Sequence, residues 1–84
     1  MVRPVCIIIT KVKFFYVYVL KSINHSFIYV GFTANLRVRF IEHNNGEELS
    51  TKHYAPFELI HYEGYRIIKD AKRRELYLKS NRGR

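Results

Sequence analysis

The chain has 84 residues, which suits a single domain with a modest core, and its 48% hydrophobic content argues against disorder. The net charge of +8 favours an anionic partner, either a nucleic acid or a membrane surface. Cys6 is the single cysteine, which excludes an intramolecular disulfide and a thiolate zinc cluster. The apolar stretch that begins at Cys6 is too short to span a membrane and lacks the marks of a signal peptide, so we expect a cytoplasmic protein.

A compositional break near residues 10–13 separates a short N-terminal segment from the rest of the chain. No internal repeat, low-complexity tract or linker interrupts the sequence that follows. We therefore expect residues 1–13 to form an extension, either an added edge strand or a loose terminus, and residues 14–84 to form one domain.

Two segments rich in aromatic and β-branched residues, 14–20 and 27–32, predict a β-hairpin, because the polar residues between them favour a turn. A turn centred at residues 23–24 would place Tyr18 directly opposite Tyr29, with both hydroxyl groups on one face. Such a pair either belongs to a site or simply lines a half-buried surface, since tyrosines are good strand formers.

The next segment has the period of a helix. Thr33 is a suitable N-cap and the Asn-Asn-Gly sequence further on favours termination, so we expect a helix over residues 34–45. Arg39 and His43 are four residues apart and therefore lie on one side of this helix, at the border of its apolar stripe. They form a basic pair at the edge of the core, or else Arg39 is a surface arginine and His43 a partly buried core histidine.

Residues 57–63 predict a third strand that completes an antiparallel sheet with the hairpin, and residues 67–80 predict a second helix. Glu75 falls inside the apolar arc of that helix, where a carboxylate needs a partner because burying an unpaired charge is costly. The partner is either a basic side chain, such as Arg39 or a neighbour in the helix, or a metal ion. The sequence thus predicts an α+β fold, a three-stranded antiparallel sheet flanked by helices.

The second predicted helix is rich in basic residues and contains few acidic residues. Among them are Lys69, Lys72 and Arg73. Such a cluster either contacts phosphates or is a solvated face. A membrane-surface role is disfavoured, since this helix has no aromatic-rich face and carries Glu75 in its apolar arc.

Five features, taken in order, resemble the GIY-YIG nuclease domain, in particular small single-domain members similar to the N-terminal domain of a DNA-repair excinuclease: Tyr16-Val17-Tyr18, Tyr29-Val30-Gly31, Arg39, His43 and Glu75. The resemblance covers residues 14–84. It implies a sheet flanked by helices, and a metal-dependent endonuclease that acts on DNA in repair or recombination. It also implies a set of site residues and a cofactor: catalytic Tyr18, Tyr29, Arg39, His43 and Glu75, substrate contact at Gly31, and Mg²⁺ or Mn²⁺ on Glu75. The basic cluster of the second helix adds Lys69, Lys72 and Arg73 as candidate substrate contacts.

That chemistry would give each residue one task. Glu75 would hold the cation, Arg39 would bind the nonbridging phosphate oxygens with its planar fork, and one tyrosine would activate water while the other orients it. The sequence does not decide between Tyr18 and Tyr29 for these tasks. It departs from the family at Phe32, where many members carry a basic residue after the second signature.

A second hypothesis comes from a different class of protein. It is a nucleic-acid-binding module that keeps the scaffold without catalysis and holds phosphates with the basic helix, including Arg74. The intact signature residues favour the nuclease. The sequence leaves open the structure of the DNA substrate, a partner protein that supplies specificity, and the oligomeric state.

Overall fold

The computed structural model describes residues 13–82. Its elements are β1 (Phe15–Ser22), β2 (Ile28–Thr33), α1 (Leu36–Asn44), a 3-10 turn (Lys52–Tyr54), β3 (Phe57–Tyr65) and α2 (Ile68–Arg82). The predicted extension over residues 1–13 lies outside the described residues, apart from the exposed Lys13.

Strand β1 lies at the centre of a three-stranded antiparallel sheet with the order β2-β1-β3. Aromatic and β-branched residues fill β1 and β2 because their side chains fit a pleated, half-buried surface. Successive side chains of a strand point to opposite faces, so both faces of the sheet can be covered by a helix. The predicted α+β fold, a three-stranded antiparallel sheet flanked by helices, is confirmed.

The two faces of the sheet have separate cores. On one face, here called the α2 face, Val17 and Val30 pack against Ala71 of helix α2. The opposite face, here called the α1 face, buries Tyr18, and Phe40 of helix α1 packs against this second core. The sheet therefore separates the side chains that α1 contributes from those that α2 contributes.

The register of the hairpin differs from the prediction. Tyr18 pairs with Gly31 and Leu20 pairs with Tyr29, so the prediction that Tyr18 lies directly opposite Tyr29 is wrong. The turn is centred later than expected because Ser22 still belongs to β1 and closes the turn with both its backbone and its hydroxyl group. The two tyrosines nevertheless remain on one face as diagonal neighbours, since a difference of two residues preserves the side on which a strand residue points.

Helix α1 begins later than the cap prediction placed it. Asn35 is the N-cap, and its Oδ1 accepts the backbone N–H of Val38 at 3.2 Å. Thr33, the predicted cap, remains in β2, where its hydroxyl accepts the N–H of Asn35 at 3.1 Å. The helix ends as expected before Gly46, which adopts a φ of 74° that glycine tolerates best. The last turn consequently carries His43 into the core.

Candidate active site

Three of the predicted site residues meet on the α1 face. Strand β1 supplies Tyr18, β2 supplies Tyr29 from the diagonal position, and the last turn of α1 supplies His43. Ring centroids are 6.3 Å apart for the two tyrosines. The His43 ring lies 5.8 Å from that of Tyr18 and 5.1 Å from that of Tyr29. The two tyrosines therefore share one face of the sheet, as the strand periodicity predicted, and the His43 ring lies against both of them.

Gly31 makes room for the Tyr18 ring. A Cβ atom at position 31 would lie 2.3 Å from Tyr18 Oη and 2.4 Å from Cζ, far inside van der Waals contact. The φ of Gly31 is not positive, so glycine is required here for close approach rather than for conformational freedom. The predicted contact of Gly31 with substrate stays a prediction, since this residue is buried beneath the phenol.

His43 is fully buried, and both of its ring nitrogens have partners. Nε2 lies 2.9 Å from Tyr18 Oη, and Nδ1 lies 2.8 Å from Thr51 Oγ1. The Thr51 hydroxyl can donate its proton to the backbone carbonyl of Glu48, 3.5 Å away, which leaves it to accept from Nδ1. This network assigns the proton of the imidazole to Nδ1 and makes Nε2 the acceptor for the Tyr18 hydroxyl.

Burial sets the protonation states of this network. It raises the pKa of Tyr18 to about 12, although the nearby Arg39 acts in the opposite sense. Burial also lowers the pKa of His43 below its usual 6.5, and the charge of Arg39 lowers it further. At neutral pH the phenol keeps its proton and the imidazole is neutral, as the hydrogen bond between them requires. Tyr18 is 1% exposed, so its hydroxyl serves this network and does not face solvent.

Arg39 approaches the cluster from α1, with 29% of its side chain exposed. One arm of the guanidinium donates to Glu42 at 3.0 Å and the other donates to Glu48. Burial alone would lower the pKa of Arg39, but hydrogen bonds to the two carboxylates raise it overall, so the group stays charged. The same bond from Arg39 lowers the pKa of Glu48. Two carboxylates thus hold the fork that was predicted to bind phosphate.

Glu75 belongs to the other side of the sheet. Helix α2 packs on the α2 face through Ala71 and Leu78, which flank Glu75 in the same stripe. The Glu75 side chain is 19% exposed, and its Oε2 accepts from Lys79 Nζ at 3.0 Å. The partner is therefore the helix neighbour and not Arg39. Within residues 13–82, no hydrogen bond or ion pair joins Glu75 to the tyrosines.

A cation site in the described part of the chain would depend on Glu75. Residues 13–82 contain no group of three or more His, Cys, Asp or Glu side chains placed to hold a metal ion. Mg²⁺ keeps several waters and binds through one or two carboxylates together with substrate phosphates. A partly exposed carboxylate whose ion-pair partner is the flexible Lys79 fits such a weakly held ion.

The predicted phosphate-binding residues of α2 are exposed but differ in their surroundings. Lys72 holds its Nζ 4.7 Å from the ring centroid of Phe32, and so brings a cation to the strand position where the family pattern has a basic residue. Arg73 donates to Asp70 at 3.3 Å. Lys69 forms no ion pair with any described residue.

Arg74 has a structural partner instead. Its Nε and NH2 groups donate to the two carboxylate oxygens of Glu63 at 2.8 and 2.9 Å. The bond from Arg74 lowers the pKa of Glu63 to about 2. This bidentate ion pair joins α2 to β3, so Arg74 is not an unpaired cation that is available to bind phosphate.

Three residues of the site carried no signal in the sequence that we recognised. For Glu42 a signal was available, because it follows Arg39 by three residues and side chains at that spacing in a helix are neighbours. Glu48 and Thr51 lie in the polar segment between α1 and β3, where no period identifies a partner.

Comparison with known proteins shows the family of the chain. Residues 14–84 match the model of the GIY-YIG catalytic domain. The chain therefore belongs to the GIY-YIG family, which is a family of nucleases. Among residues 13–82, no helix has both the length and the apolar character needed to cross a membrane.

Its relatives are UPF0213 proteins. One from Clostridium perfringens is 38% identical over 65 residues, which cover 76% of this chain and 69% of the relative. Another from Staphylococcus epidermidis is 35% identical over 66 residues, which cover 77% of this chain and 79% of the relative. No solved structure matches the chain significantly.

Proposed function

We propose that the chain is a metal-dependent endonuclease that hydrolyses phosphodiester bonds of DNA. One observation carries the proposal: Tyr18, Tyr29, His43 and Arg39 come from three elements and converge on the α1 face. Buried polar groups are costly unless they are paired, and among the described residues no buried side-chain nitrogen or oxygen lacks a partner. The net charge of +8 supports a polyanionic substrate.

The two tyrosines receive different roles. The Tyr29 side chain is half-buried, and its hydroxyl has no hydrogen-bond partner among the described residues, so it is available to hold a water molecule. Tyr18 is buried and bound to His43. We therefore assign Tyr29 as the catalytic residue that orients the attacking water, and Tyr18 as a positioning residue that acts through His43 and Arg39.

Arg39 binds the nonbridging oxygens of the scissile phosphate in this mechanism. A planar guanidinium presents parallel donors that match a phosphate and stabilise the charge of the transition state. Glu42 and Glu48 hold the fork in place, and a phosphate must replace at least one of them. The side chains of these ion pairs are 29–35% exposed, so a phosphate from solvent can reach them. The attacking water forms the new P–O bond and releases a proton, the bond to the leaving oxygen breaks, and that oxygen takes up a proton from solvent.

Glu75 would hold Mg²⁺ or Mn²⁺ once Lys79 releases its carboxylate. Glu75 lies on the helix of the α2 face, so a cation held there would supply Lewis-acid chemistry only to a phosphate that also reaches helix α2. Lys69, Lys72 and Arg73 of the same helix would hold the flanking phosphates of the strand.

A plasmid and branched-DNA cleavage assay with Glu75→Gln tests the proposal. Glutamine keeps the size of the side chain but removes the anion, so we expect Mg²⁺-dependent cleavage to be lost while the circular dichroism spectrum is unchanged. Glu58→Gln is the matched control, because Glu58 is exposed on β3 and forms no ion pair within residues 13–82. Undiminished cleavage by the Glu75 variant would overturn the site assignment.

A non-catalytic nucleic-acid-binding module is the second candidate function. The ion pairs of Arg39 with two carboxylates and of Glu75 with Lys79 favour it, because they occupy the groups that catalysis needs. This function predicts salt-dependent DNA binding and no cleavage by the unmodified chain in Mg²⁺ or Mn²⁺. Cleavage that the Glu58 control retains and the Glu75 variant loses excludes it.

A further inference from the structure

An open groove lies on the α1 face beside the tyrosine cluster. It has a volume of about 490 Å³, within the usual range for a site that takes a small planar group. The side chains that define this aromatic groove are Tyr16, Tyr62, Leu36, Phe40, Leu59 and Arg37.

The groove borders the candidate active site directly. Tyr62 of β3 pairs across the sheet with Tyr18, so its side chain points to the α1 face. Tyr16 precedes Tyr18 by two residues in β1 and points to the same face. Two residues of a strand span about 7 Å. A nucleic-acid strand with one phosphate at Arg39 would therefore carry its neighbouring base past the groove.

The walls of the groove present aromatic rings to solvent. Tyr62 is 56% exposed although it is a large aromatic residue, and its ring centroid lies 6.2 Å from that of Tyr16. The two rings are inclined by 60°, so they do not stack on each other and a ring face stays open. Leu59 and Phe40 contribute apolar side chains to the lining of the groove. This combination suits a flat aromatic group better than it suits water.

A positively charged side chain without an ion-pair partner among the described residues also lines the groove. Arg37 is exposed, and it forms no ion pair or hydrogen bond with any residue of 13–82. By contrast, Arg39, Arg73 and Arg74 each bind a carboxylate. Positive charge next to open aromatic rings is the combination that single-stranded nucleic acid requires, since its bases stack and its phosphates need a cation.

We propose that the aromatic groove binds one unpaired nucleobase of a DNA strand, with Tyr62 stacked on the base and Arg37 on the adjoining phosphate. The inference rests on the proposed function and names its substrate class: DNA with a single-stranded segment next to the scissile phosphate. A base in continuous duplex is paired and stacked, so it must leave the helix before it can enter. Flaps, frayed ends and branch points supply such a base without that cost.

Binding measured without cleavage tests the groove. Each variant is made in the Glu75→Gln background and titrated in EDTA with fluorescein-labelled oligothymidylate and with a blunt duplex hairpin. We expect Tyr62→Ala to lower the ratio of single-strand to duplex affinity about tenfold. Tyr77→Ala is the matched control, because Tyr77 is 54% exposed but lies on α2, and it should leave the ratio unchanged.

Two further measurements separate stacking from charge. A 2-aminopurine placed in the oligothymidylate should lose fluorescence on binding, and this quenching should disappear in Tyr62→Ala and return in Tyr62→Phe. Arg37→Gln should reduce the slope of log affinity against log salt by about one, while Arg66→Gln, an exposed arginine without an ion pair in the described chain, serves as its control.

An equal affinity ratio for the Tyr62 and Tyr77 variants, or quenching that survives in Tyr62→Ala, would overturn the groove as a base site. These results are independent of cleavage. Failure of the unmodified chain to cut any DNA would overturn the nuclease proposal while leaving a confirmed groove standing. Cleavage of flapped and continuous duplex DNA at equal rates would overturn the groove's role in substrate choice and leave the nuclease proposal intact.

Discussion

Replacement of Gly31 by alanine should disturb the site more than any other single-methyl change in the sheet. The new Cβ would lie 2.3 Å from Tyr18 Oη, and the ring itself is buried and closely packed. The phenol must therefore move or the strands must separate. Either movement breaks the 2.9 Å hydrogen bond to His43 and leaves a buried nitrogen without its donor.

The magnitude follows from three contributions. Overpacking a core costs about 1–3 kcal/mol. An unsatisfied buried nitrogen adds about 1–3 kcal/mol. The stiffer backbone of alanine in a strand returns about 0.5–1 kcal/mol. The net loss is about 3 kcal/mol, which lowers the midpoint of thermal unfolding by about 12–24 °C for a domain of this size.

Thermal and urea unfolding followed by circular dichroism measure this loss, and Gly64→Ala is the control. Gly64 pairs with β1 as Gly31 does, but a Cβ there would meet its nearest side-chain atom, in Tyr16, at an ordinary 3.5 Å. We expect that control to be as stable as the unmodified chain or slightly more stable. If the two alanine variants unfold at the same temperature, close approach of Tyr18 is not the reason for glycine at position 31.

Three further predictions concern the charges and hydrogen bonds around the site. Arg39→Lys keeps the charge but loses the fork, so single-turnover cleavage should fall about a hundredfold with little change in DNA affinity, and Arg66→Lys should match the unmodified chain; an unchanged rate would make Arg39 a surface residue. Thr51→Val removes the hydroxyl that accepts from the buried imidazole and should cost about 1–3 kcal/mol in urea unfolding, whereas Thr51→Ser should recover most of it. The bond from Arg74 holds the pKa of Glu63 at about 2 instead of 4.5, so the stability it contributes is present above pH 4.5 and lost as the pH falls through 2. In the Glu63→Gln variant, the midpoint of thermal unfolding should depend less on pH between pH 4.5 and pH 2. A pH dependence equal to that of the unmodified chain would refute the assignment.

The residues that meet on the α1 face could be predicted because the side on which each one points depends on the periodicity of its strand or helix. A strand period of two puts Tyr18 and Tyr29 on one face in both the expected and the observed register. A helix period of 3.6 brings His43 to the inner side of α1, one turn after Arg39. These predictions survive small errors in the turn and in the helix cap.

The partners of these residues were not predictable from local pattern. Thr51 reaches His43 and Glu48 reaches Arg39 from a segment without periodic structure, so their positions depend on how that segment is held. The helical arc placed Glu75 correctly in an apolar stripe. It did not reveal which face of the sheet α2 covers, because this depends on the connection from β3 and not on the periodicity of the helix.

The connection between α1 and β3 is held at both ends by side chains. Asn44 accepts the backbone N–H of Phe57 through its Oδ1, and Ser22 donates its hydroxyl proton to the carbonyl of Tyr54 at 2.6 Å. The Tyr54 ring stacks on Phe27 with the centroids 3.9 Å apart. Although it has little regular structure, this connection is fastened to the hairpin and to β3.

The length of the connection between α1 and β3 therefore determines the geometry of the site. Surface loops ordinarily accept insertions and deletions more readily than strands or helices do. Here one added residue between Glu48 and Thr51 would leave every strand and helix in place but displace a carboxylate from Arg39 and a hydroxyl from His43. Among working members of this lineage, we expect the spacing between these two residues to vary less than the spacing within the β1–β2 turn, whose side chains form no hydrogen bond with Tyr18, Arg39 or His43.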